Sequence, residues 1–178
     1  DVKGKRVAVG AAGSGTEANA RQILAANGIT YDDITEQYLS FAEAADNLKD
    51  GNVDVAFVTA GFPTAAIMDI AAQHDVVLLD VEEDIADALI EDYPFYTKIV
   101  VPAGTYTDQE EDVSTVAVMA MLVVTDEMDE DLAYDMTAAI YNNLDRLQAA
   151  HEIGKMITKD GALDGMPIEL HPGAKRYF

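Results

Sequence analysis

Arg6-Val-Ala-Val-Gly-Ala-Ala-Gly-Ser-Gly-Thr-Glu-Ala-Asn-Ala-Arg-Gln-Ile-Leu24 takes an apolar strand through three glycines and two hydroxyls into a segment with Ala20, Ile23 and Leu24 at helical spacing. Gly10, Gly13 and Gly15 allow sharp turns and close approach of the backbone to a ligand. Ser14 or Thr16 caps the helix that follows and leaves amide donors facing outward. The helix N-terminus adds partial positive charge. The junction is therefore predicted to cradle an anion on a strand-loop-helix unit.

Three anions compete for it. Gly10-x-x-x-x-Gly15 has the spacing of a phosphate loop, but Thr16 stands where the lysine that reaches the terminal phosphates belongs. Gly13-Ser-Gly15-Thr-Glu-Ala18 fits a dinucleotide fingerprint, with Glu36 near the end of the next strand as a ribose-binding acid. Against it, Gly13 comes several residues after the strand, and no His and Asp pair suited to hydride transfer follows. A small carboxylate held by loop amides and hydroxyls is the third reading. A glycine turn that binds nothing is the plain alternative.

Composition narrows the classes. With 178 residues, 49% of them hydrophobic, the chain has enough apolar material for a core of one domain or a little more. No apolar run approaches the roughly 20 residues of a membrane helix; Val116 to Val124 is strand length. No basic, apolar leader opens the sequence. Lys plus Arg number 11 against 33 Asp plus Glu, a formal net charge of -22, which argues against nucleic acid and anionic membranes as partners. Such self-repulsion is tolerable where salt screens it, so a salt-loving source is expected, with unfolding resistance rising in molar salt. Acidic runs at 82–84, 109–112 and 126–131 lack the alternating oxygens and central glycine of a calcium loop and read as solvated faces. Absence of cysteine excludes disulfides, thiol nucleophiles and thiolate metal sites. His74, His151 and His171 make no metal-binding spacing, and Ala12 and Thr16 stand where a serine nucleophile elbow needs glycines. No cofactor, metal or catalytic residue is expected.

Periodicity gives an α/β order. Strands are predicted at 7–10, 34–39, 53–58 and 76–79, alternating with helices at 16–26, 41–49 and 64–73. Asn27-Gly28 and Asp50-Gly51 stop the first two helices, and Ser40 with Glu43 forms a capping box. The alternation implies a parallel sheet flanked by helices, with ligands at the carboxyl ends of its strands. The loops 10–16 and 59–64 both fall at such ends. A short helix at 84–91, strands at 97–102 and 115–124, one long amphipathic helix at 129–149 with Leu132, Met136, Ile140 and Leu144 as its stripe, and an irregular stretch at 161–178 complete the reading.

Five motifs then point to a family: Gly10-Ala-Ala-Gly-Ser-Gly-Thr16, Asp50-Gly-Asn-Val-Asp-Val-Ala-Phe57, Gly61-Phe-Pro63, Val101-Pro-Ala-Gly-Thr-Tyr106 and His171-Pro-Gly-Ala-Lys-Arg-Tyr177. In this order they resemble the TAXI family of extracytoplasmic solute receptors for TRAP transporters. The resemblance implies a two-lobed type II periplasmic-binding-protein fold that closes on an amino acid such as glutamate, or an organic acid, and delivers it to a TRAP membrane permease from the periplasm or cell surface. Family members are nearly twice as long, so the resemblance implies a piece lacking a signal and a first-lobe segment. Residues 1–112 would form most of the second lobe, and 113–178 would return, with the C-terminal helix, to complete the first. Carried over, Gly13, Ser14, Gly15 and Thr16 hold the solute carboxylate, while Gly61, Phe62 and Pro63 wall the same lobe. Tyr38 and Tyr106 line the cleft or serve packing, and the closing His171 motif docks the tail.

Overall fold

The computed structural model describes residues 2–178. The chain divides into two compact units, one made of Asp1–Tyr93 and Lys98–Ala117, the other of Pro94–Thr97 and Val118–Phe178.

The first unit is an α/β layer structure. Strand β1 (Arg6–Ala8) pairs in parallel with β2 (Thr35–Gln37) on one side and β3 (Val55–Ala56) on the other, giving the order β2-β1-β3. Helix α1 (Gly15–Ala26) links β1 to β2, and α2 (Phe41–Lys49) links β2 to β3. Because side chains alternate along a strand, Val7 and Val9 join Ala20 and Leu24 of α1 in one core, while Ala8 meets Ala44 of α2 in another. The two helices therefore cover opposite faces. Fully buried Val7 and Val9 contribute about 1.5–3 kcal/mol each.

Both helices end as their sequences predict. At the end of α1, Ile29 N–H reaches Leu24 O (2.9 Å) and Gly28 N–H reaches Ala25 O (2.9 Å), with Gly28 at φ 66°. This Schellman pairing needs a residue that accepts positive φ. Gly51 at φ 69° does the same for α2, with Asn52 N–H on Asn47 O at 2.8 Å. At the start of the strands Arg6 clasps Asp54 through its backbone N–H (2.9 Å), Nε (3.0 Å) and Nη2 (2.6 Å), fastening β3 to β1. Helices α3 (Ala65–Ala71) and α4 (Glu83–Asp92) pack on α2 and α1 respectively.

Several sequence expectations change. Residues 76–79 form no strand, and Val77 and Leu79 are exposed. Strands β4 (Tyr96–Val101) and β5 (Val113–Val118) pair with each other, but β5 stops at Val118, leaving exposed Leu122 and Val123 unpaired. Strand propensity is present in both places, but among the described residues no neighbouring strand supplies a hydrogen-bond ladder.

In the second unit the expected long helix is two, α5 (Glu130–Tyr141) and α6 (Leu144–Ala150). Consecutive asparagines break it: Asn143 Nδ2 donates to Ala139 O (2.8 Å), and Asn142 Oδ1 accepts from the Tyr177 hydroxyl (3.1 Å). The tail is not irregular throughout, since Pro172–Tyr177 forms α7 against α5. His171 Nδ1 accepts from Gly173 N–H at 3.2 Å and its Nε2 lies 3.1 Å from Met128 O. Gly173 sits where any Cβ would meet Ala133 Cβ at 2.9 Å, so the close face of α5 is buried Ala133 and not Leu132, which is exposed. Arg176 adds an ion pair to Asp131 at 2.8 Å. Among the described residues no helix is long and apolar enough to cross a membrane.

Candidate ligand-binding site

The strand order decides where a ligand fits. With α1 on one face and α2, carrying α3, on the other, the connections leaving β1 and β3 diverge at their carboxyl ends, the position at which open α/β sheets take ligands. The loops 10–14 and 57–64 lie at those ends. Dinucleotide folds place β2 between β1 and β3, whereas here β1 occupies the centre. The order departs from theirs.

The first loop is built around Gly10. Its φ is 100°, and a Cβ there would lie 2.8 Å from Thr16 Cβ and 2.9 Å from Thr16 Cγ2. Glycine is required on both counts. Gly13, at φ 72° with open space around it, is required by conformation alone. Of the two hydroxyls, Ser14 is the N-cap: its Oγ accepts from Glu17 N–H at 3.2 Å, and its own N–H closes a turn onto Ala11 O at 3.0 Å. Thr16 lies inside the first turn, its methyl side packed over Gly10, with 7% of its surface exposed.

The donors left over define the chemistry. Among the described residues none accepts from the amides of Gly15 or Thr16, the first two orphan donors of α1. Among the described residues no group bonds the Thr16 hydroxyl, yet none of their sealed side-chain oxygens lacks a partner, so the Thr16 oxygen reaches the surface. Ser14 accepts but donates to none of the described residues, leaving its proton free. Gly13 and Gly15 are exposed. Two amides and two hydroxyls at the positive end of a helix suit a carboxylate.

The second loop is fixed beside α1. Asn19 Nδ2 on α1 donates to Thr59 Oγ1 at 3.1 Å. Thr64 Oγ1 donates to Gly61 O at 2.9 Å, closing Gly61-Phe62-Pro63 into a turn with a cis Phe62–Pro63 bond. The buried Tyr106 hydroxyl accepts from Thr64 N–H at 2.9 Å, so it fastens this loop from behind. Tyr38, just past β2, is exposed. Asn19, Thr59 and Thr64 escaped the sequence reading. Their signal was modest: Thr59 and Thr64 are polar residues that begin and end a strand-end loop, and Asn19 is a polar residue inside α1.

Charge near the loop is handled locally. Glu17, in the first turn of α1, accepts from Arg21 Nη2 (2.6 Å) and the Tyr31 hydroxyl (3.0 Å). Burial first, then the bond to Glu17, holds the Tyr31 phenol well above its usual range. The same ion pair raises the Arg21 guanidinium. Elsewhere in this unit a groove of about 520 Å³ runs along Val81, Ala86, Lys98 and Ile99. Its Lys98 is already paired with Asp87 (2.7 Å) and Glu83 (3.3 Å), so it offers an anion little.

Residues 1–178 match the NMT1-like family. The chain belongs to that family. NMT1-like proteins are a binding-protein family related to periplasmic solute-binding proteins, which implies a small-molecule ligand and a membrane transporter as partner. The NMT1-like match covers both units and so includes the glycine loop, the Gly61-Phe62-Pro63 turn and the docked tail.

Proposed function

We propose that this chain belongs to an extracytoplasmic receptor of the TAXI type, which captures a small carboxylate, either an amino acid such as glutamate or an organic acid, and delivers it to a TRAP-type permease. Gly13, Ser14, Gly15 and Thr16 take the carboxylate, Gly61, Phe62 and Pro63 wall the site, and Tyr38 and Tyr106 stand at its margins. The observation that carries this reading is the pair of unclaimed amides at Gly15 and Thr16 beside the unclaimed protons of Ser14 and Thr16. Each charge-assisted bond to such a group contributes about 1.5–3 kcal/mol, enough in combination to hold a small acid. The choice of permease rests on the five-motif resemblance. In this reading residues 1–112 are second-lobe and 113–178 return to the first, no cofactor takes part, and the ligand is bound without turnover. The acidic surface suits a salty milieu.

Isothermal titration with L-glutamate and 2-oxoglutarate tests it. Saturable heat with either and an unchanged ligand afterwards is expected. No heat with any small carboxylate, or saturable binding of a nicotinamide dinucleotide instead, overturns it.

A further inference from the structure

Three helix N-caps of the first unit carry the same local code, a hydroxyl residue followed three positions later by an acid: Ser14 with Glu17, Thr30 with Asp33, and Ser40 with Glu43. Such a pair normally closes on itself, the acid reaching back to the capping residue. Two do. Glu43 Oε2 accepts from Ser40 N–H (2.9 Å) and from the Ser40 hydroxyl (2.7 Å), and Asp33 Oδ2 accepts from Thr30 N–H (2.9 Å) and its hydroxyl (3.2 Å). The third stays open. Ser14 caps Glu17 N–H, but the Glu17 carboxylate does not return; it lies along the helix flank, 2.6 Å from Arg21 Nη2 and 3.0 Å from the Tyr31 hydroxyl. The Arg21 guanidinium also stacks 4.3 Å above the Tyr31 ring, and the closed Thr30–Asp33 box fixes the turn that presents Tyr31.

We infer that Arg21 and Tyr31 are positioning residues of the carboxylate site, which hold Glu17 off its own capping box so that the helix end stays free for a ligand. The inference rests on the carboxylate reading of that end. Glu17 is itself a carboxylate, tethered three residues from the cap, and its high local concentration makes it the natural competitor of a soluble one. Arg21 also neutralises a negative charge that would otherwise repel an incoming anion. Thr16 matters here as the second sign of a ligand: a residue more than nine-tenths covered whose hydroxyl is engaged by none of the described residues. In α2 the corresponding serine proton is consumed by Glu43, whose carboxylate already stands at that end as the anion.

The test is a titration with L-glutamate followed by the backbone amide resonances of Gly15 and Thr16, in the unaltered chain, in Arg21→Gln/Tyr31→Phe, and in that variant with Glu17→Ala added. Releasing Glu17 is expected to weaken glutamate about tenfold, the scale of a charge competing at a helix end. Adding Glu17→Ala is expected to restore the affinity, which lost packing alone could not do. Should the double variant fail to fold, Tyr31→Phe alone is expected to weaken binding about threefold, again reversed by Glu17→Ala. Equal affinity with and without the clamp, or a loss that Glu17→Ala does not reverse, overturns the inference and leaves the site standing. Absence of any response in the unaltered chain removes the carboxylate reading and this inference with it.

Discussion

Helices α1 and α2 begin with the same serine and glutamate three residues apart, follow neighbouring strands of one sheet and end in the same glycine-dependent pairing, yet their N-termini differ in kind. At the α2 end the Glu43 carboxylate takes both the Ser40 N–H and the Ser40 hydroxyl. Both ends leave the amides of their first two residues without an acceptor among the described residues, but the α1 end also keeps two hydroxyl protons unspent and has its glutamate turned onto the flank by Arg21 and Tyr31. Capping that completes itself is structural; capping left incomplete at the carboxyl end of a strand is where a ligand can supply the missing acceptor. The open end therefore costs stability that binding returns.

The comparison can be broken most severely at Gly10. Gly10→Val places branched carbon against Thr16 at a positive φ, and a loss of about 2–4 kcal/mol in urea unfolding is expected. Gly13→Ala, with positive φ but open space, should cost only about 1 kcal/mol. The caps themselves should rank next. Ser40→Ala removes both bonds of the serine hydroxyl, donated to Glu43 Oε2 and accepted from Glu43 N–H, and is expected to cost about 1–2 kcal/mol, whereas Ser14→Ala, which loses a single bond, should cost about 0.5–1 kcal/mol while weakening carboxylate binding. Equal costs would show that the two ends are energetically alike. The smallest effect concerns the clasp behind both helices. Arg6 holds the Asp54 carboxyl far below the usual range, chiefly by side-chain hydrogen bonding. A carboxyl depressed in the folded state contributes stability fully above its unfolded value of about 3.9, and that contribution is lost as pH falls toward the folded value. The gap in thermal midpoint between the unaltered chain and Asp54→Asn should thus be constant above about pH 5 and narrow below about pH 4. A gap independent of pH would contradict the clasp.

Much of this was legible because it is local. Gly28 and Gly51 announced the helix ends, Ser40 with Glu43 announced a box, and the alternation of strands with helices announced a parallel sheet covered on both faces. What the sequence left open was whether Ser14 or Thr16 caps α1; packing of Thr16 over Gly10 assigns the role to Ser14. Apolar runs at 76–79 and 119–124 read as strands, but a strand also requires a neighbour, which composition cannot specify. The long helix was read from its apolar stripe, and the paired asparagines that divide it were outweighed. In the site, Asn19 meets Thr59 from 40 residues away, and Glu17 is turned aside by Tyr31 from 14 residues away. No local spacing encodes either contact.

The central claim is that α1 presents an open carboxylate site and α2 a closed one. A titration of the isotope-labelled chain with L-glutamate and 2-oxoglutarate, read at the backbone amides, tests it most directly. Saturable shifts at Gly15 and Thr16, with the amides of Ser40 to Glu43 unmoved, are predicted. Silence at Gly15 and Thr16, or matching shifts at both helix ends, would contradict it.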